Sequence, residues 1–488
     1  MDAHTALLFA FIANLLGLIA CSYYAFWLKR APLYHPMVLF LIYFLLGYVY
    51  RPLADWIQGY SEIWIHDGVF PTAADIFYAT FISIVGLFSF VFIPPLLNKS
   101  IHDRLDIWPT RFAVTRPVVF WPVVTLIGLV GVISAVGGLA NTNSATISQF
   151  VSEQQLTGGF QLVGVSGYAT LGQEFIPAII FVLLLKSGIS RTNLVLVVGF
   201  MLLRLYEGTE RSGFLAMAFA FLLAMMLRSG TKYLRFRYIV LIVVLLATFD
   251  VLGGDRLAVQ DIVTGNKTVS DIVSEYQFGR GATLPLSDVH EFDSSTLVTM
   301  LVPERTGYNW FSQYMRLFIW PIPRQIWPDK PVLTSRIVWM RYGNFFGQTM
   351  SMMGDAYTNF GFASLVLVMA VYGTGLSWLY KRAQSTASPI LFGANAVFAI
   401  YAPLLFRDGE VGAYYWIFSW IAVIIALCVA GRIRVQRKYG LKWRTVLPPL
   451  KDPESVTLHP ITRPARVSGF VPRQNGVNLP RSTIELNP

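Results

Sequence analysis

Two arginine-bearing segments carry most of the chemistry this sequence offers. One is Arg204-Leu205-Tyr206-Glu207-Gly208-Thr209-Glu210-Arg211-Ser212-Gly213, wedged between two apolar stretches. The other is Trp320-Pro321-Ile322-Pro323-Arg324-Gln325-Ile326-Trp327-Pro328-Asp329-Lys330-Pro331, a proline-locked run bracketed by tryptophans. Each proline fixes φ at about −65° and removes a donor, so Arg324 and Lys330 are offered from a frame that loses little entropy on binding. Guanidinium groups stay charged and can grip phosphate bidentately, which suits both segments to an anionic ligand.

Carboxylates and a histidine supply the candidate proton chemistry. Glu174, beside Gln173 and just before Pro177, sits in an apolar run, where an ionisable group marks a functional candidate. A span that begins only after Pro177 would instead leave it in a loop. Glu210 adjoins Arg211, and pairing of Glu210 with Arg211 or of Arg204 with Glu207 could simply cap a helical hairpin. In Arg407-Asp408-Gly409-Glu410 the two acids could hold a hard divalent cation, but pairing with Arg407 or plain solvation is the simpler account. His290, next to Glu291 and Asp293, could act as a base near neutral pH, and a solvated loop histidine is the plainer reading.

The elements that must position these groups follow from composition. Of 488 residues, 55% are hydrophobic and 13% charged, about half the charge of a soluble chain. The apolar runs are too long and continuous for alternating barrel strands, so the expected class is an all-α polytopic membrane protein. Candidate spans are Ala6 to Leu28, Met37 to Tyr50, Ile76 to Leu97, Val118 to Ala140, Tyr168 to Leu185, Leu194 to Leu205, Phe214 to Leu227, Tyr238 to Phe249, Phe362 to Tyr380, Ile390 to Phe406 and Val411 to Ala430. That is about eleven, several of them shorter than the ~20 residues that cross ~30 Å.

Basic residues sort by side. Lys29/Arg30, then Lys99, Arg104, Arg111 and Arg116, Lys186/Arg191, Arg228 to Arg237, Lys381/Arg382 and the tail from Arg432 share one face, expected to be cytoplasmic. Asp55, Glu62, Asp67 and Asp75 follow the second span on the opposite face. An odd span count then puts the amino terminus outside and the carboxyl terminus inside. The net charge of +11 is spread over short loops and the tail, which points to anionic headgroups rather than nucleic acid. Cys21 and Cys428 lie in apolar runs and offer neither a disulfide nor a thiolate metal site. No cleavable signal is expected from Met1-Asp2-Ala3-His4.

The expected organisation is therefore helices over residues 1–249, one large outer loop over 250–361 with short interfacial helices, helices over 362–431 and a basic, disordered tail over 432–488. The outer face would collect Arg204, Arg211, Arg305, Arg316, Arg324, Lys330, Arg336, Arg341 and Arg407, against the usual charge trend. A phosphate-bearing ligand at that face would explain the clustering.

This arrangement resembles the Wzy-type oligosaccharide repeat-unit (O-antigen) polymerases. The resemblance rests on Thr209 to Leu215 opening a span, on the Ile322-Pro323-Arg324 to Lys330-Pro331 run, and on Gly354-Asp355-Ala356-Tyr357-Thr358-Asn359-Phe360-Gly361 closing the loop. It implies a fold similar to O-antigen ligases and GT-C-type glycosyltransferases in a bacterial inner membrane. The implied reaction moves a growing glycan from undecaprenyl diphosphate to the non-reducing end of a lipid-linked repeat unit on the periplasmic side. The implied partners are that lipid-linked oligosaccharide, the bilayer, a chain-length regulator and a flippase, with no cofactor or metal. By similarity to the ligases, Arg211 would meet the donor diphosphate and Arg324 would be the loop arginine. Asp355, Tyr357, Asn359 and the remaining loop cations would line the sugar site, but the ligases' motif histidine has no counterpart here. Glu174, Glu210, Asp355 and Glu410 are then the candidate bases. Glu210 is ranked first, although its neighbouring arginine keeps it ionised and poorly basic.

Overall fold

The computed structural model describes residues 2–59, 61, 64, 70–103, 109–141, 171–207, 211–233, 236, 240, 258–271, 274, 289–319, 322, 326–327, 350–409 and 413–437. Residues 441–488 lie outside those residues, as does the candidate span from Tyr238 to Phe249 except Val240.

Seven described helices are long and apolar enough to cross a membrane. They are α1 (Ala3–Leu28), α2 (Pro36–Gln58), α3 (Ala73–Leu97), α4 (Pro117–Asn141), α12 (Phe362–Ser385), α13 (Pro389–Asp408) and α14 (Ala413–Ala430). Between α4 and α12 come α5 (Phe175–Ser187), α6 (Arg191–Glu207) and α7 (Arg211–Ser229), at three of the expected spans. At 13 and 17 residues, α5 and α6 rise only about 20 and 25 Å. Four short helices belong to the loop region: α8 (Ala258–Thr264), α9 (Glu291–Leu301), α10 (Ser312–Ile319) and α11 (Met352–Phe360).

Local chemistry sets the helix starts. Thr72 and Asp75 exchange side-chain and backbone hydrogen bonds in a capping box at α3. Ser351 accepts from Gly354 N at 2.9 Å to start α11, and Ser388 with Pro389 starts α13. Gly409, at φ +60°, ends α13.

The second helix departs from expectation. The apolar run suggests a stop at Tyr50, yet α2 continues to Gln58. Its stretch Leu45–Tyr50 is π-wound, and Pro52 carries no N–H for the carbonyl one turn back. Asn14 of α1 satisfies that carbonyl, donating to Tyr48 O at 2.8 Å, and Ser83 of α3 donates to Asn14 Oδ1 at 2.6 Å. Asp55, expected in an acidic loop, is consequently a fully buried helical residue.

Elsewhere the packing is aromatic and close. Phe40 stacks on Phe90 at 4.2 Å and meets Phe406 edge-on at 5.0 Å, joining α2, α3 and α13. Gly373 of α12 lies so near Phe90 O of α3 that any side chain would collide with the backbone. At the end bearing the basic turns, β1 (Thr110–Ala113) pairs antiparallel with β2 (Arg434–Arg437), Thr110 opposite Arg437. Arg228 at the end of α7 donates to Leu185 O at the end of α5 at 2.8 Å, and this fixes the direction of both helices.

Candidate functional site

At the opposite end of the bundle, two buried polar clusters meet the loop helices. The first is built on Glu174, at the cap of α5. Its Oε2 accepts from Tyr401 Oη of α13 at 2.8 Å and from Trp420 Nε1 of α14 at 2.9 Å. Its Oε1 lies 3.6 Å from Arg204 Nη2, with both side chains 2% exposed. Arg204 also donates to Gln173 Oε1, and Gln173 donates to Ser134 O of α4 at 3.3 Å. The bare Cα of Gly213 in α7 packs directly against the Arg204 guanidinium. Six helices thus converge on the ion pair and its Gln173 partner. Arg211 opens α7 two residues before that contact; its side chain, Glu207's side chain and Glu210 lie outside the described residues.

The second cluster joins α2 to α9. Arg51 donates through Nε to Asp293 Oδ2 at 2.7 Å and lies 3.2 Å from Asp55 one turn along its own helix. Tyr48 donates to Ser351 and lies 2.9 Å from Ser295 Oγ. On α9, Glu291, Asp293, Ser294, Ser295 and Thr296 are all buried, so a short polar helix is sunk into the end of an apolar bundle. Three of them carry a buried oxygen that makes no hydrogen bond: Glu291 Oε2, Asp293 Oδ1 and Ser294 Oγ. Burial pushes the Glu291 carboxyl up to about 7, against the opposing pull of Arg407 and Arg51 and with Asp408 adding to the rise. Arg407 itself donates to Asp408 Oδ1 at 2.7 Å.

The loop residues divide into scaffold and surface. Asp355 Oδ2 accepts from Gln313 Nε2 at 2.8 Å, Asn359 Oδ1 accepts from Phe311 N at 2.9 Å, and Asn359 Nδ2 donates to Asp355 O at 2.9 Å. The first two of these bonds tie Phe311 and the first turn of α10 onto α11. Tyr357 is 8% exposed and meets Phe362 edge-on at 5.2 Å. Arg305 sits exposed in the turn after α9, its N–H bonded to Leu301 O at 2.9 Å. The Arg316 side chain and all of Arg324, Lys330, Arg336, Arg341 and Glu410 fall outside the described residues.

The structure therefore brings Glu174 and Arg204 together, and sets Arg407 beside Asp408. Neither cluster was evident as a unit in the sequence. Arg51, Asp55, Glu291 and Asp293 looked like loop residues, although an Arg and an Asp four apart after an apolar run are the spacing of a helical ion pair. Among the described residues no three His, Cys, Asp or Glu side chains gather as a metal site. No family model matches the chain, and no curated protein or solved structure matches it.

Proposed function

We propose that this chain is a membrane glycosyltransferase that lengthens a glycan, passing the growing chain from a lipid diphosphate to an incoming lipid-linked oligosaccharide at the loop end of the bundle. What supports this reading is the buried cluster of carboxylates, hydroxyls and guanidiniums joining α2 to the loop helix α9, together with the arginines that the sequence carries in the loop. Cleavage of a sugar–diphosphate bond builds negative charge on the leaving oxygens. Preorganised guanidiniums in a low-dielectric site stabilise that charge at little reorganisation cost. By the resemblance to the ligases the diphosphate contact is assigned to Arg211 and Arg324, while Arg204 and Arg407 are engaged by Glu174 and Asp408. The Arg204–Glu174 pair then holds the start of α7, and with it Arg211, in place. Asp355 and Asn359 shape the loop rather than the bond-breaking step.

The test is growth of glycan by the purified full chain in detergent, given a lipid-diphosphate-linked repeat unit. Wild type should yield a ladder of products, and Arg211→Ala should reduce it by about 100-fold or more, the loss typical of a transition-state donor. A single transfer without a ladder would mark a ligase. Undiminished growth in Arg211→Ala would reject the assignment.

A further inference from the structure

We infer that Glu291 is the proton-accepting carboxylate of this site, the group that takes the proton of the attacking sugar hydroxyl; the inference rests on the glycosyl-transfer reading above. Buried carboxylate oxygens are almost always hydrogen-bonded, because leaving one bare is costly. Glu291 Oε2 is bare nonetheless; Asp293, two residues on, also keeps Oδ1 bare but has its Oδ2 held by Arg51 at 2.7 Å, and Glu174 in the neighbouring cluster is engaged by Tyr401 and Trp420. An oxygen so placed has capacity for one more partner.

The helix facing it is shaped around that oxygen. A Cβ on Gly47 would come within 2.8 Å of Glu291 Oε2 and 3.1 Å of Glu291 Cβ, so no other residue at 47 leaves the carboxyl where it is. Gly47 lies in the π-wound stretch Leu45–Tyr50, and π-turns inside α-helices recur at functional sites. The same stretch places Tyr48 Oη between Ser295 and Ser351, a short file of hydroxyls on the inner side of the cluster.

The charges around Glu291 come from every packed element. Arg51, Tyr43 and Tyr48 face it from α2, with Asp55 behind Arg51; Arg407 and Asp408 come from α13. Ser351 and Asp355 lie at the start of α11, Asp75 at the start of α3, and His290 and Asp293 on or beside its own helix. With its carboxyl raised to about 7, it is near the optimum for a base at neutral pH.

In the step itself, the acceptor O–H gives its proton to Glu291 Oε2 as the new bond forms between the acceptor oxygen and the donor sugar's anomeric carbon. The bond from that carbon to the diphosphate oxygen breaks, and its electron pair leaves with the lipid diphosphate. Glu291 then releases the proton to water to reset.

Two measurements on the full chain decide the matter. Infrared spectra without substrate should show a protonated-carboxyl band that vanishes as pH rises through about 7 and is missing in Glu291→Gln. Its absence in wild type, or its persistence in the variant, overturns the inference. In the glycan-growth assay, wild-type rate should fall as pH drops below about 7. Glu291→Gln should lose about 100-fold in rate together with that acid limb, while binding of the lipid-linked unit holds within about twofold. Glu291→Asp should regain part of the rate with a displaced limb. A glutamine variant with wild-type rate and pH profile sinks the inference alone. A wild type that grows no glycan sinks the transfer reading, and the acceptor role with it.

Discussion

Glu174 and Arg204 form an ion pair that water does not reach, and its partners show how much rides on it. The carboxylate receives a tyrosine, an indole and a guanidinium, contributed by α13, α14 and α6. Removing one member of such a pair leaves the other charged and buried, at a cost of about 3–5 kcal/mol. Glu174→Ala should therefore lower the thermal unfolding midpoint of the purified protein markedly, and Glu174→Gln, which keeps two acceptor contacts, by less. Equal stability of all three proteins would show that the pair contributes nothing. At this scale the sequence was half legible. Glu174 and Arg204 each stood out as charges at apolar span ends, but the local alternative, Arg204 with Glu207, is nearer in sequence than the partner chosen by packing. Glu291 gave no signal, because its neighbours Phe292, Asp293 and Ser294 read as polar loop and burial comes from helices hundreds of residues away.

Elements were most legible where hydrophobicity alone decides them, and least where backbone chemistry does. Apolar runs anticipated α1, α3, α4, α12, α13 and α14 closely. The apolar run ends at Tyr50, short of the end of α2, and the sequence of α2 does not reveal that Asn14 on another helix satisfies Tyr48 O, the carbonyl that Pro52 leaves open. That substitution of partners makes Asn14 the hinge pin of three helices, with Tyr48 O on one side and Ser83 on the other. Asn14→Leu removes both bonds and strands a buried carbonyl, at a cost of about 1–3 kcal/mol for the unsatisfied group. The expected outcome is a lower unfolding midpoint and faster amide exchange over Leu45–Tyr50, measured by hydrogen exchange. Unchanged protection there would mean that the π-wound stretch holds itself without Asn14.

At the scale of the molecule, contacts fix which helix ends share a face, and this constrains the path of the chain more tightly than span counting. Arg228 at the end of α7 caps the end of α5, whereas Glu174 at the start of α5 meets Tyr401 in the final two turns of α13. The start of α9 lies with Arg51 and Arg407, also at that second end. The chain thus leaves α7 at one end of the bundle and enters α9 at the other. On the sequence reading, the run from Tyr238 to Phe249 supplies one crossing, a length of only about 18 Å as helix. The seven long spans leave out α5 to α7, of which α5 and α6 have only 13 and 17 described helical residues. Side-specific labelling of single cysteines introduced at Thr231 and Arg305 should place them on opposite faces of the membrane, with Thr386 siding with Thr231 and Gly59 with Arg305. Labelling of Thr231 and Arg305 from the same face would contradict that path, and would separate the arginine-rich loop from the buried carboxylates that the proposed reaction needs beside it.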